Sequence, residues 1–111
     1  MPTFITTGKF SAEAVKGMMS KPEDRSKIVG KLMEAAGGKL VSYYFTTGDT
    51  DFLIIGDAKD GADAVAVSMA AAAAGTVSDL RTVRAWTAAE FMAICKKAGK
   101  LAGSYRAPGK S

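Results

Sequence analysis

The residues best equipped for chemistry gather around one short stretch, Tyr43-Tyr44-Phe45-Thr46-Thr47-Gly48-Asp49-Thr50-Asp51-Phe52. Two carboxylates stand beside a glycine between apolar, β-type runs, a composition that serves a tight turn as well as a proton transfer. Asp49 fits the turn, because a short carboxylate next to glycine accepts bonds from nearby backbone amides. Asp51 is placed differently: it enters a strand just before Phe52, where a charge needs a partner or water. At the mouth of a barrel it would take a proton from a substrate; capping the hairpin is the competing role. Tyr44 is the phenol paired with it as a candidate catalytic residue. Tyr43 and Tyr44 point to opposite faces of one strand, so at most one of them lines a given pocket, and a strand tyrosine otherwise serves as core with its hydroxyl in water.

Arg84 alternates with Thr82 and Trp86 on one face of a later strand-like run. An arginine beside an indole suits recognition of an anion or an aromatic ring, which makes Arg84 and Trp86 the candidate ligand-binding residues. The competing role for Arg84 is an ion pair at an edge strand or a dimer contact. Histidine is absent, which removes the usual general base, the histidine-activated nucleophiles and most transition-metal sites. The single cysteine, Cys95, lies at helical spacing from Phe91 and Ala98 and reads first as a small buried apolar side chain. Its second reading is a thiol activated by Lys96 or Lys97. The six methionines read as core filler. No glycine-rich phosphate loop and no cysteine pair occurs, so neither a cofactor nor a metal site is expected.

The elements that must hold these residues fit one domain of 111 residues, with apolar and charged fractions of 48% and 23% in the ordinary globular range. The formal net charge is +4, but residues 96–111 carry five basic residues and no acid, which leaves residues 1–95 at −1. A basic, Gly/Ala/Ser/Pro-containing end reads as a solvated tail, and nucleic acid is not an expected partner. Asp63 and Ser68 interrupt the most apolar segment, so no membrane span is expected. The N-terminus lacks the basic and apolar regions of a secretory signal. With a lone cysteine suited to a reducing compartment, the expected location is cytoplasmic.

Thr3 to Thr7 predicts a first strand closed by Gly8. Ser11 stands as a helix N-cap with Glu13 in the first turn. Pro22 interrupts that helix and fits the first position of a restart, whose stripe of Ile28, Leu32 and Ala35 stops at Gly37-Gly38. Leu40–Thr47 and Asp51–Ala58 predict a hairpin. Phe52-Leu53-Ile54-Ile55 lacks alternation and predicts a central strand apolar on both faces. Asp60 and Asp63 open an alanine-rich helix that Gly75 closes, Val77–Trp86 predicts a fourth strand, and Thr87 with Glu90 forms a capping box for a terminal helix to about Ala98. Residues 1–98 are thus expected as the single domain and 99–111 as a flexible tail. The order β-α-β-β-α-β-α is that of an α+β, ferredoxin-like split βαβ fold with helices on one face. An apolar second face on the sheet marks an interface, and the expected partner is a second copy closing a dimeric α+β barrel.

Several stretches carry a family likeness: Gly8-Lys9-Phe10-Ser11 with Gly17, Pro22-Glu23-Asp24-Arg25, Gly37-Gly38-Lys39-Leu40, the Tyr43–Phe52 hairpin and Arg84-Ala85-Trp86-Thr87. On these the chain resembles the GYD-domain family of small bacterial and archaeal proteins over roughly residues 1–97. At the hairpin for which that family is named, Gly48 and Asp51 match and Thr50 stands where the family has tyrosine. The resemblance implies a ferredoxin-like, oligomeric protein similar in architecture to dimeric α+β barrels, some of which are cofactor-free monooxygenases. Two functions are compatible with it. One is a homo-oligomeric module that holds a small apolar or aromatic ligand without turnover. The other is a cofactor-independent barrel enzyme, monooxygenase- or isomerase-like, using Asp51, Tyr44 and Arg84 around an apolar pocket.

Overall fold

A computed structural model describes residues 1–110; Ser111, the end of the expected tail, lies outside the described residues. In chain order the elements are β1 (Thr3–Phe10), α1 (Ala12–Ser20), α2 (Arg25–Ala35), β2 (Lys39–Phe45), β3 (Phe52–Asp57), α3 (Gly61–Ala73), β4 (Val77–Ala85) and α4 (Ala88–Ala102). The strands form one sheet in the order β2-β3-β1-β4, with each neighbouring pair antiparallel. This is the ferredoxin-like α+β topology that the order of elements predicts.

Capping side chains set most helix starts where the sequence places them. Ser11 Oγ accepts from the Ala14 amide at 3.1 Å, and the Asp60 carboxylate accepts from the Asp63 amide at 3.0 Å. Thr87 and Glu90 complete a reciprocal box, with bonds of 2.8 and 3.1 Å. The restart after Pro22 differs from expectation. Asp24, not Pro22, sets the first turn, because its carboxylate accepts from both the amide (3.0 Å) and the hydroxyl (2.6 Å) of Ser26. Those bonds hold the Asp24 carboxyl below its ordinary 3.8.

Gly8 does not close β1. The strand runs on to Phe10 through a register shift between Thr7 and Lys9. The glycine is there because the chain passes too close to its neighbours for a side chain: a Cβ would lie 2.7 Å from the Phe52 ring and 2.8 Å from Leu80.

The register divides the sheet into two faces. One carries the rows Tyr43–Ile54–Thr6–Thr82 and Leu40–Gly56–Phe4–Arg84, and α1, α2 and α3 lie over it. The other carries Ser42–Ile55–Ile5–Val83 and Tyr44–Leu53–Thr7–Arg81. Ile5, Leu53 and Ile55 are part-exposed there, and Tyr44 and Val83 are 59% and 47% exposed. β3 is therefore central and apolar on both faces, as its lack of alternation predicts, although the protomer covers only one of them.

Among the described residues, only Phe52 and Ala58 are apolar side chains buried outright. Met1, Met19, Met69 and Met92 are exposed, so four of the six methionines are not core filler. Cys95 is exposed as well, against the buried reading, because α4 packs on nothing to an extent comparable with α2 on β2 or α3 on β4. α4 continues to Ala102, past the expected end near Ala98, and all of its residues are exposed. The radius of gyration is 18.3 Å and the long axis 66 Å, whereas a compact chain of this length has a radius near 13 Å, on the order of 2.2·N^0.38.

Candidate functional site

Between the helix-bearing face of the sheet and the three helices lies a cavity of about 480 Å³. Its floor is Phe4, Thr6, Phe52 and Ile54; its roof comes from Ala14 and Met18 of α1, Val29, Leu32 and Met33 of α2, and Ala64, Val67 and Ala71 of α3. The alanines of α3 account for part of the space, since a helix of small side chains fills little of the volume it covers. Gly56 seats Met33 on the sheet, because Met33 lies across the position that a Cβ at residue 56 would occupy.

One end of the cavity is aromatic. The Phe10 and Phe52 ring centroids are 5.0 Å apart, Tyr43 and Phe45 are also 5.0 Å apart, and Phe10 stacks on Phe45 at 5.7 Å. These separations suit offset and tilted ring pairs. Phe10, Tyr43 and Phe52 line the cavity itself. Burial pushes the Tyr43 phenol above its ordinary 10.0, opposed by the positive charge of Arg25. Polar side chains line the cavity as well, among them Thr6, Ser68 and the charged Glu13, Asp57 and Asp63. Thr6 and Thr82 share a hydroxyl bond of 2.9 Å, and Ser68 donates to the Ala64 carbonyl at 3.2 Å. Lys21, Glu23 and Arg25 reach the cavity from the α1–α2 connection, with Arg25 3.3 Å from Glu23.

The structure scatters the candidate residues around this cavity and puts none of the four in its lining. The Asp51 carboxylate accepts from the Phe10 amide at 2.9 Å, the Asp51 amide donates to the Gly8 carbonyl, and its carbonyl accepts from Thr46. Asp51 thus ties the β2–β3 hairpin to the end of β1. The turn itself is closed by Thr46, whose hydroxyl donates to the Thr50 carbonyl at 2.8 Å, with Gly48 at φ 95. Asp49 is exposed beside it. Thr50, in the place of the family tyrosine, contributes that backbone acceptor and stands 3.5 Å from the Thr46 hydroxyl through its own.

Tyr44 points to the uncovered face, opposite Leu53. Arg84 and Trp86 do come together, with the guanidinium 4.6 Å from the indole centroid and 5.8 Å from Phe4. The group that Arg84 grips is the chain's own backbone, at the Thr3 carbonyl (3.2 Å) and the Ala85 carbonyl. Phe4 pairs with Arg84 across the sheet, and Asp51 bonds Phe10 six residues along β1. The two candidate groups are therefore about 20 Å apart at 3.3–3.4 Å per residue.

The residue that sequence reasoning passed over is Tyr43. Alternation separates it from Tyr44 without saying which face the helices take. The signal for that choice was Phe45 two residues later, which shares its face with Tyr43 and Phe52. Among the described residues no cluster of three or more metal-ligating side chains occurs, and no helix is long and apolar enough to cross a membrane.

Comparison with known proteins gives the fold and the family. TTHA0845 from Thermus thermophilus is similar at 17% identity and a TM-score of 0.50, over 79% of this chain and 96% of that one. MtbAldR is similar at 14% identity and a TM-score of 0.52, over 78% of this chain and 52% of its own, so the chain spans about half of that protein. At these identities the likeness speaks for the fold alone. No curated protein matches the sequence. The family model described as GYD domain matches residues 4–95, which takes in all of the sheet but Thr3, the three helices over it and the first half of α4. The chain belongs to the GYD-domain family.

Proposed function

We propose that this protein is a homo-oligomeric GYD module that holds a small apolar or aromatic molecule between its sheet and its helices, without turnover. The cavity of about 480 Å³ with an aromatic end carries this reading; ligand pockets run at about 300–1,000 Å³ and are mostly apolar with a few placed polar groups. Asp51, Tyr44 and Arg84 do not converge within the protomer, so the constellation that an enzyme would use is not assembled there. The apolar rows of the uncovered sheet face support pairing with a second copy, since so contiguous a surface on a small protein marks an interface.

The test is a thermal-shift screen of apolar and aromatic metabolites on the wild type and on Ala64→Trp, which fills the cavity from α3. A ligand at a hundred times its Kd stabilises by about 2.7 kcal/mol and raises the midpoint by roughly 10 °C. The expected result is such a shift in the wild type that Ala64→Trp loses, with no product formed from the bound compound. Equal shifts in both proteins would place the ligand elsewhere, and turnover would favour the barrel-enzyme reading. Sedimentation at micromolar concentration tests the assembly: only an 11.5 kDa species overturns it.

A further inference from the structure

α3 is apolar on both sides. Its inner residues, Ala64, Val67 and Ala71, roof the cavity. Its outer stripe, Ala62, Val65, Ala66, Met69, Ala70 and Ala73, is exposed and has no charged member, with Val65 and Met69 at 53% and 66%. A helix that is apolar all round belongs in an interior, and nothing in the protomer covers this one. α4 presents the matching problem. Phe91, Ile94, Cys95 and Leu101 recur at helical spacing on a helix that stands off the body, with Phe91 and Leu101 at 55% and 61% exposure.

We infer that α4 of one protomer docks antiparallel on the outer stripe of α3 of a second copy, and reciprocally. Three features select that occupant. The helices are 13 and 15 residues long, about 20 and 22 Å at 1.5 Å per residue. The surfaces complement each other in size, because an alanine floor lets the large side chains of α4 approach closely. The charges complement each other too. α4 is acidic only at Glu90 and carries Lys96, Lys97 and Lys100 toward its end, while α3 has Asp60 and Asp63 at its start and no charge after them. Antiparallel docking sets those lysines beside the exposed Asp60, while Asp63 faces the cavity. A lipid surface would satisfy a basic amphipathic helix, but it leaves the α3 stripe bare; a second copy covers both, twice over under a twofold axis. This contact is separate from the sheet face and from the cavity.

Cys95 is the sole cysteine and lies in the α4 stripe, so a thiol placed on α3 reports the contact directly. Met69→Cys and, separately, Ala66→Cys are oxidised mildly and resolved without reductant, alongside the wild type. The expected product is a covalent dimer of the 11.5 kDa chain bridged from Cys95 to the new thiol by peptide mapping, for at least one of the two variants. It should persist when Ile55→Lys is added to disrupt the sheet face, which separates this contact from that one. Phe91→Asp with Leu101→Asp should lower the oligomer by a factor of two at unchanged circular dichroism.

Equal dimer from the wild type means that α4 pairs with α4, and an internal bridge means that α4 folds back on its own α3. Either overturns the inference. So does the absence of any bridge while both thiols still react with a small reagent, or an oligomer that Phe91→Asp with Leu101→Asp leaves intact. Co-sedimentation of the wild type with phosphatidylserine vesicles, lost in that double variant and without any Cys95 bridge, assigns α4 to lipid instead.

Discussion

At the scale of residues, Asp51 bolts the β2–β3 hairpin to the end of β1. Its carboxylate accepts from the Phe10 amide, and a part-buried amide left without its charged acceptor is costly. Asp51→Ala should destabilise the fold by about 1.5–3 kcal/mol in denaturant titration, and Asp51→Asn, which keeps an acceptor oxygen, by less. Gly8 is constrained by contact: a methyl there meets the Phe52 ring and the Ser78 carbonyl at 2.7 and 3.1 Å. Gly8→Ala should cost about 1–3 kcal/mol, the range for overpacking, read by the same titration. Tyr43 answers for the cavity. Burial raises its phenol above 10.0, so the neutral form is favoured in the folded state. Its stabilising share is complete below pH 10 and lost as pH rises through the elevated value. Ultraviolet titration should show a late-ionising phenol that Tyr43→Phe removes and that bound ligand moves higher still.

At the scale of elements, α4 depends on its own caps because it has so little packing. The Thr87–Glu90 box satisfies two of the backbone donors that a helix start leaves free. Thr87→Ala should lower stability by about 1 kcal/mol and reduce helicity measured by circular dichroism. Glu90 accepts from the Thr87 amide, which holds its carboxyl below the ordinary 4.5. A depressed carboxylate stabilises above its unfolded value and stops doing so as pH falls through the folded one. Asp24 at the start of α2 behaves alike from 3.8 downward. Helicity should therefore be level above about pH 4.5 and decline on acidification below it, with Glu90→Gln starting lower and declining less.

At the scale of the whole molecule, a protomer with two buried apolar side chains among its described residues has little core of its own. The proposed assembly and ligand would supply burial that the single chain lacks, and both act by mass action. The thermal midpoint should rise with protein concentration between micromolar and millimolar, and Ile55→Lys combined with Phe91→Asp and Leu101→Asp should flatten that dependence. A midpoint independent of concentration would mean that the protomer stands alone.

What the sequence by itself determined rests on short-range physics, although that physics was not legible everywhere, as the start of α2 at Asp24 shows. Capping side chains such as Ser11, Asp60 and Thr87 act within three residues, and helix-ending glycines such as Gly75 act at one. The alternation in β2 and the unbroken apolar run of β3 follow from the pleat, and together with the order of elements they were enough for the topology. The tertiary structure decided what depends on distance across the fold. It chose which face the helices cover, and so put Tyr43 rather than Tyr44 at the cavity. It gave Asp51 to the Phe10 amide and Arg84 to the Thr3 carbonyl, partners 41 and 81 residues away. It also left α4 off the body, because an amphipathic stripe says that a helix must be covered without saying by what.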